Sequence, residues 1–178
     1  MLDLSFDCNL DGVGYGLVAL RGASTELAAG FDEELAQELE RAKARPEQGA
    51  WPERTKPVRE LLRYGKYKPT GRGKPASEYL LRSAVQNKIP RVFALVDVLN
   101  LISLRYLLPI SLIDLKKVDT DAFVLRRGHE GERYVFNSVG QEIELTDLLL
   151  VARKDTDQAL ANAVKDSMAS KLSPEATD

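Results

Sequence analysis

An apolar run in the middle of the chain, VFALVDVLNLISLRYLL from Val92 to Leu108, limits the folds that this sequence can adopt. At about 17 residues it is too long for an ordinary strand, so it predicts a helix that is buried on nearly all sides. Asp97 and Arg105 lie within the run, and charges are costly in the middle of a bilayer. We therefore expect a helix inside a protein core, ended by Pro109, and no membrane span.

Three polar residues interrupt the run at intervals of three: Asp97, Asn100 and Ser103. Successive helical residues turn by about 100°, so these side chains share one stripe of an otherwise apolar cylinder. Burial of polar groups costs free energy unless they find hydrogen-bond partners. The stripe therefore indicates either a pocket for an amino group, hydroxyl or carbonyl, or a hydrogen-bond network between helices that includes Arg105.

The residues before this run predict two strands and three helices. Residues 2–8 alternate apolar and polar side chains, which is typical of a half-buried strand, and GYGLVALRG (14–22) predicts a second strand. The helices are predicted over residues 31–44, around 58–64, and from Pro75 to Val85. The prolines of RPEQGAWPERTKP (45–57) predict a break between the first two helices.

The residues after the run predict a mostly antiparallel sheet. DAFVLRR, GERYVFNS, QEIEL and LLLVA are short apolar or alternating runs separated by turn sequences. Residues 155–178 are polar and alanine-rich, and permit a helix from about Thr156, a loop, or disorder. The whole pattern predicts one α+β domain over residues 1–178, with a mostly antiparallel sheet packed against helices.

Basic residues are concentrated between Arg63 and Arg91, where Glu78 is the single acid. The basic residues are Arg63, Lys66, Lys68, Arg72, Lys74, Arg82, Lys88 and Arg91. This segment carries a net charge of +7, although the whole chain carries −2. Such asymmetry indicates contact with a polyanion.

The stretch YKPTGRGKPASEYLL (67–81) lies in this basic segment. Gly71 and Gly73 let backbone amides approach a phosphate closely, and the helix that begins at Pro75 offers its N-terminus to an anion. Tyr64, Tyr67 and Tyr79 are placed to stack on bases or on a terminal sugar. The alternative is a charged connector with a solvated basic face and tyrosines in the core.

Several common site types are not expected. His129 is the single histidine and lies in a predicted hairpin turn, which does not suit a Ser-His-Asp set. There is no Cys/His spacing typical of zinc, no P-loop, and GVGYG is not followed by a helix, so neither a metal nor another cofactor is expected. The single cysteine, Cys8, permits no internal disulfide, and the first ten residues lack signal-peptide features, so a reducing cytoplasm is expected.

Three segments carry a family resemblance: KPTGRGKPASEYLLRSA, IPRVFALVDVLNLISLRYLLPISLIDLKKV and FVLRRGHEGERY. Together they resemble the editing domain (B3/4) of the beta subunit of bacterial phenylalanyl-tRNA synthetase, and more closely the stand-alone proteins made of that domain. The resemblance covers roughly residues 58–152, while the first fifty residues are similar only in overall pattern.

The resemblance implies a B3/4-like fold and a function. The synthetase domain hydrolyses wrongly attached amino acids from tRNA, and some stand-alone relatives remove canavanine from arginine tRNA. This chain is thus expected to be a trans-acting aminoacyl-tRNA deacylase that acts on the acceptor end of tRNA without a metal or cofactor.

The resemblance also implies roles for residues. Asn100 matches an asparagine of the synthetase editing site, and Ser111 stands where the synthetase has a histidine, which puts tyrosine as substrate in doubt. ANAVKDSMASKLSPEAT resembles a segment of the stand-alone group, which implies that Asp166 and Ser167 lie in a pocket-lining loop. The family pattern continues into a further strand with an editing-site glutamate, whereas the printed sequence ends at Asp178.

These considerations give three sets of expected site residues. The catalytic set is Asn100, Ser103 and Asp97, with Asp97 or Asp166 taking the amino group. The substrate-binding set is Ser111, Asp166, Ser167, Tyr79 and Glu78. The tRNA-binding set is Lys68, Arg72, Gly73, Lys74, Arg63 and Lys66.

Two other functions remain open on the sequence. Ser111 and the early end of the family pattern favour a non-catalytic module that binds tRNA or an amino acid and has lost editing activity. A small-molecule hydrolase or amidase without an RNA partner would leave the basic segment without a role.

Overall fold

The computed structural model describes residues 4–44 and 50–177. In chain order its elements are β1 (Ser5–Cys8), α1 (Phe31–Ala44), α2 (Ala50–Leu62), a 3₁₀ turn (Gly71–Gly73), α3 (Ala76–Val85), α4 (Ala94–Tyr106), α5 (Leu115–Val118), β2 (Ala122–Arg127), β3 (Arg133–Val135), β4 (Glu142–Glu144), β5 (Leu149–Arg153) and β6 (Ala159–Asn162).

The main sheet has four strands in the order β1-β2-β5-β6. β1 pairs with β2 in parallel, with Phe6 opposite Phe123, and the other two pairings are antiparallel. β3 and β4 form a separate two-stranded antiparallel sheet. The predicted α+β class with a mostly antiparallel sheet is therefore confirmed, as are the four predicted strands between Asp121 and Arg153.

Helices α1, α3 and α4 pack on one another through small and branched side chains. Ala42, Leu81 and Leu104 are fully buried in one cluster, and Phe31 and Leu101 meet in a neighbouring one. The acids in the first turn of α1 and the bases in its last turn complement the helix dipole. This packing fixes the two helices, α3 and α4, that carry Tyr79, Glu78, Asp97, Asn100 and Ser103 among the expected site residues.

Helix α2 begins earlier than its prolines predict. The predicted break over residues 45–57 is wrong from Ala50 onward, and residues 45–49 lie outside the described part. Pro52 stands in the first turn, where amides have no partner within the helix in any case, but Pro57 is internal. Burial of Thr55, Val58 and Leu62 on one face offsets the hydrogen bond lost at Pro57.

A buried ion pair joins α2 to α3. Arg59 Nε donates to Glu78 Oε1 at 2.6 Å, and a second guanidinium nitrogen donates to the other carboxylate oxygen of Glu78. Glu78 is buried, so the bidentate pair supplies the partners that its charge requires. A second link joins α2 to β2: Arg127 of β2 donates to the carbonyls of Leu61 and Leu62 at the end of α2, both at 3.1 Å.

Helix α4 is shorter and less enclosed than the apolar run predicts. It ends at Tyr106 because Leu107 adopts a left-handed conformation with φ 55°, two residues before Pro109. Val98, Ile102 and Tyr106 form an exposed stripe, so burial on nearly all sides is wrong. No helix in the described part of the chain is long and apolar enough to cross a membrane.

The N-terminal segment does not form the predicted second strand. Residues 13–20 have no strand pairing, and Leu17, Val18 and Leu20 are exposed. The segment is held instead by Tyr15, whose ring lies 4.5 Å from the ring of Phe6. Residues 14–22 have the apolar pattern of a strand, but they do not pair with β1 at the edge of the main sheet.

The helix that the sequence permits from about Thr156 does not form. Residues 159–162 form β6 on the edge of the main sheet, and a folded loop follows it. Ser167 and Ser170 are buried in that loop, and Ser170 Oγ donates to Leu160 O at 2.5 Å. The loop reading that the family resemblance implies for Asp166 and Ser167 agrees with this arrangement.

Candidate functional site

Two tyrosines hold the loop that precedes α3, residues 67–75, which we call the basic loop. Tyr67 donates its hydroxyl to Gly73 O at 2.6 Å, and Tyr79 donates to Gly71 O at 3.0 Å. Burial raises the pKa of Tyr67 to about 12, so this hydroxyl stays neutral and remains a donor. Two of the three tyrosines that were expected to stack on bases, Tyr67 and Tyr79, thus use their hydroxyls to hold the loop.

The glycines of the basic loop have separate structural reasons. Gly71 has φ +54°, a conformation that glycine adopts without strain. At Gly73 a side chain would meet Lys68 O at 3.3 Å, which is a tight contact. The amide of Gly73 donates to Thr70 O at 2.9 Å, so it is used within the turn and is not directed at a ligand.

The basic residues between Arg63 and Arg91 divide into those that form an ion pair with a carboxylate and those that do not. Arg63 lies 3.6 Å from Glu60, Lys66 lies 2.5 Å from Glu130, and Arg91 contacts both Asp32 and Asp97. The others have no ion pair with any residue of the described ranges: Lys68, Arg72, Lys74, Arg82 and Lys88. The unpaired charge is therefore concentrated on the basic loop and the exposed face and end of α3.

The three polar residues of α4 have different surroundings. Asp97 is buried and accepts from Arg91 Nε and from the amide of Val92, both at 2.8 Å. Ser103 Oγ donates to Leu108 O at 2.6 Å and so closes the end of the helix. The side chain of Asn100 has no hydrogen bond to any residue in the described part of the chain, and it is partly exposed.

Asn100 lies in a groove between α3 and α4 with a volume of about 300 Å³. Its other walls include Tyr79 and Ser83 from α3 and Lys165 from the loop after β6. Ser103 also lines this groove, but Asp97 does not, so the structure separates Asp97 from its two expected partners. Arg105, the other candidate for a network, lies 3.0 Å from Glu34 on α1.

Tyr79 connects the groove to the basic loop. The residue lines the groove, while its hydroxyl holds Gly71 in the loop. The guanidinium of Arg82 lies 5.8 Å from the centre of the same ring, within cation–π range. A polyanion bound along the basic loop could therefore extend past Tyr79 to the mouth of the groove.

A second polar cluster surrounds Asp166 behind the groove. Asp166 Oδ1 is buried and meets no hydrogen-bond donor among the described residues. Burial raises the pKa of this carboxyl to about 6, although the Ser111 hydroxyl and the charge of Lys171 act in the opposite direction. A buried carboxyl with an unsatisfied oxygen is suited to bind a cationic or donor group of a ligand.

Asn162 organises this cluster from the end of β6. Its Oδ1 accepts from the amides of Val164 and Lys165 at 2.7 and 2.9 Å, and its Nδ2 donates to the hydroxyl of Tyr134. Ser111 Oγ donates weakly to Asn162 O at 3.4 Å. Sequence reasoning missed Asn162, Tyr134 and Lys165, although an asparagine inside the apolar run ALANAV is the same kind of signal that singled out Asn100.

Of the five expected substrate-binding residues, Tyr79 alone lines the groove, and two of the other four, Glu78 and Ser167, are already bonded within the protein. Glu78 faces Arg59, as described above, and Ser167 Oγ accepts from the amide of Ala169 at 3.1 Å within its own loop. Both are buried and satisfied, so their positions support folding of the loop and of α3. In the described ranges, no three histidine, cysteine or acidic side chains cluster in a way that would hold a metal ion.

The Asp166 carboxyl makes stability depend on pH. Its pKa is about 6 in the folded chain against an ordinary value of 3.8, so folding favours the protonated form, and its contribution to stability is lost as pH rises from about 4 through about 6. Asp166→Asn should raise the free energy of unfolding at pH 8 by on the order of 1–3 kcal/mol, and have little effect at pH 3.5. Urea unfolding across this pH range measures the difference.

The matched control for this experiment is Asp121→Asn, which changes an exposed carboxylate. We expect the control to follow the unsubstituted chain at each pH. An Asp166→Asn chain that is less stable at pH 8 than at pH 3.5, relative to the unsubstituted chain, would show that the ionised carboxylate stabilises the fold.

Comparison with known proteins agrees with this geometry. Residues 66–178 match the B3/4 domain family, and this region contains the basic loop, α3, α4 and the Asp166 loop. No curated protein matches the chain. Because the match extends over well more than half of the 178 residues, the chain belongs to the B3/4 domain family.

Proposed function

We propose that this chain hydrolyses aminoacyl-tRNA in trans and so removes a wrongly attached amino acid, with no metal or cofactor. One observation carries the proposal: the unpaired bases of the basic loop adjoin a groove in which the amide of Asn100 has no hydrogen-bond partner among the described residues. An RNA strand and the ester at its end need those two surfaces next to each other. Membership of the B3/4 domain family and the resemblance to the synthetase editing domain support the same reaction.

The tRNA would be held by charge at its acceptor end. Lys68, Arg72 and Lys74 are the bases of the basic loop, and no described carboxylate neutralises them, so they are available to phosphates. Arg63 and Lys66 already have carboxylate partners and would add to the local field. Tyr79, at the junction, would guide the terminal adenosine into the groove.

The reaction would require little more than orientation and charge stabilisation, since an aminoacyl ester is already labile. Water attacks the ester carbonyl, the bond from that carbon to the ribose oxygen breaks, and the ribose oxygen takes up a proton. The neighbouring ribose hydroxyl helps to activate the water. Asn100 Nδ2 would donate to the carbonyl oxygen as it gains negative charge, and ionised Asp166 would accept from the ammonium group of the amino acid.

Asp97 and Ser103 would act through α4 and not on the substrate. Asp97 fixes the residues that lead into the helix, and Ser103 fixes the residues that follow it. Asn100 lies between them, so both bonds hold its position on the groove wall. Canavanyl-tRNA for arginine is the candidate substrate that the family resemblance supplies.

The same observations favour one alternative, a non-catalytic tRNA- or amino-acid-binding module. Two of the three polar groups of α4 are already bonded within the protein, which leaves Asn100 as the single catalytic candidate on that helix. Binding of tRNA without accelerated loss of the amino acid would establish this alternative.

The deacylase proposal is tested with purified chain and a panel of tRNAs charged with cognate and near-cognate amino acids, including canavanine. We expect at least one mischarged tRNA to be hydrolysed faster than in buffer. Asn100→Ala should lower kcat/KM by about 100-fold or more, because a donor to the developing oxyanion is lost. Asn9→Ala, at an exposed position distant from Asn100 in sequence, is the control. Equal rates for the two variants would contradict the role of Asn100.

The basic loop is tested by tRNA binding at several salt concentrations. The double substitution Arg72→Ala with Lys74→Ala should weaken binding and reduce the slope of log K against log salt by about 1–2, since up to two phosphate contacts are lost. Arg54→Ala with Lys56→Ala removes the same charge from the exposed face of α2 and should change the slope less. Equal slopes in the two double variants would refute the assignment of the loop.

A further inference from the structure

A second cavity of about 130 Å³ lies beside the groove. Its walls include Leu4 and Phe6 from β1, Leu95 from α4, Leu112 and Phe123. The remaining wall residues are likewise apolar except for Ser111 and Thr177, and no charged side chain of the described residues lines the cavity. We call it the apolar pocket.

Two segments of the chain, α4 and residues 110–111, contribute residues to both the apolar pocket and the groove. On α4, Leu95 lines the pocket and Leu99, one turn later, lines the groove. In the following segment Ile110 lines the groove and Ser111 lines the pocket. Asn100 in the groove is five residues from Leu95 in the pocket, which corresponds to about 7.5 Å along the helix axis.

Ser111 provides a polar link between the pocket and the Asp166 cluster. Its hydroxyl donates to Asn162 O at 3.4 Å and lowers the pKa of the Asp166 carboxyl. An amino acid whose ammonium group is held by Asp166 would thus have its side chain directed toward an apolar space. Asn100 in the groove, the Asp166 carboxyl and the pocket beyond Ser111 thus offer one group each for the ester, the ammonium and the side chain of an aminoacyl ligand.

The outer wall of the pocket comes from residues 17–23, which lie outside the region 66–178 that matches the B3/4 family. Tyr15 packs against Phe6 at the start of this wall, and Ala23 N donates to Thr177 O at 2.9 Å at its end. The size of the pocket is therefore determined in part by residues that belong to this chain and not to the shared family region.

We propose, on the basis of the deacylase function above, that the apolar pocket receives the side chain of the esterified amino acid, that this side chain is uncharged and apolar, and that residues 17–23 limit its size. An apolar cavity of about 150 Å³ lined by Leu, Ile and Phe stays dry and binds benzene. The pocket has similar size and lining, so it suits a branched aliphatic or single-ring side chain. A guanidinium such as that of canavanine would lose its hydration there without gaining a carboxylate, so the pocket argues against canavanyl-tRNA, the substrate that the family resemblance supplies.

The proposal is tested with amide analogues of the tRNA end, 3′-aminoacylamido-3′-deoxyadenosines that carry leucine, alanine or arginine. Binding of these probes is measured by calorimetry and is independent of ester hydrolysis. We expect the leucyl probe to bind more tightly than the arginyl probe by about tenfold or more. Ala23→Phe should remove the preference for leucyl over alanyl, while Ala36→Phe, exposed on α1, should leave it intact.

A second substitution guards against a chain that fails to fold. Leu112→Ala enlarges the pocket and should improve binding of a phenylalanyl probe relative to the leucyl probe. The proposal is overturned if the arginyl probe binds as tightly as the leucyl probe, or if neither pocket substitution changes the order of affinities. Selective leucyl binding without deacylation of any charged tRNA would support the pocket and refute the deacylase; deacylation with a preference for canavanyl-tRNA would do the reverse.

Discussion

The site depends on how α4 satisfies three polar side chains on a helix that packs through apolar ones. Asp97 accepts hydrogen bonds from Arg91 and from the amide of Val92, and Ser103 donates one to the carbonyl of Leu108. All three bonds join residues close in sequence, and they hold the two ends of the helix. Asn100 lacks such a partner among the described residues, and its amide faces the groove. The helix thus has rigid ends and one unsatisfied group between them, which is the arrangement that a preorganised binding site needs.

Three other elements bring complementary chemistry to that amide. The Arg59–Glu78 pair fixes α3, and Tyr67 and Tyr79 fix the basic loop in front of it. From the opposite side, the loop after β6 adds Lys165 and, behind it, a carboxyl that burial keeps difficult to ionise. Positive charge outside, an amide in the middle and a carboxyl behind match the phosphate, ester and ammonium of an aminoacyl-tRNA end in that order.

Much of this arrangement was predictable from the sequence because it follows from local patterns. Period-two runs gave the strands after Asp121, the charge count located the basic loop, and polar residues in an apolar run singled out Asn100. The predictions that were wrong concerned elements whose structure depends on contacts between residues distant in sequence. Pro57 is tolerated because of tertiary burial of its helix, residues 14–22 lack a strand partner despite their pattern, and Ala159–Asn162 becomes a strand because β5 pairs with it. Which polar groups are already satisfied, as at Asp97 and Ser103, likewise emerges only from the fold.

In the proposed function, the basic loop and the Asn100 groove form one continuous surface for the acceptor end of tRNA. Hydrogen–deuterium exchange of the chain with a short acceptor-stem RNA, compared with the same RNA lacking its single-stranded end, shows whether both parts of this surface contact the RNA. We expect both RNAs to slow exchange in residues 67–75, and the single-stranded end alone to add protection around Asn100 and Lys165. Protection of the basic loop with no change in the groove for either RNA, or protection confined to other parts of the chain, would contradict the account.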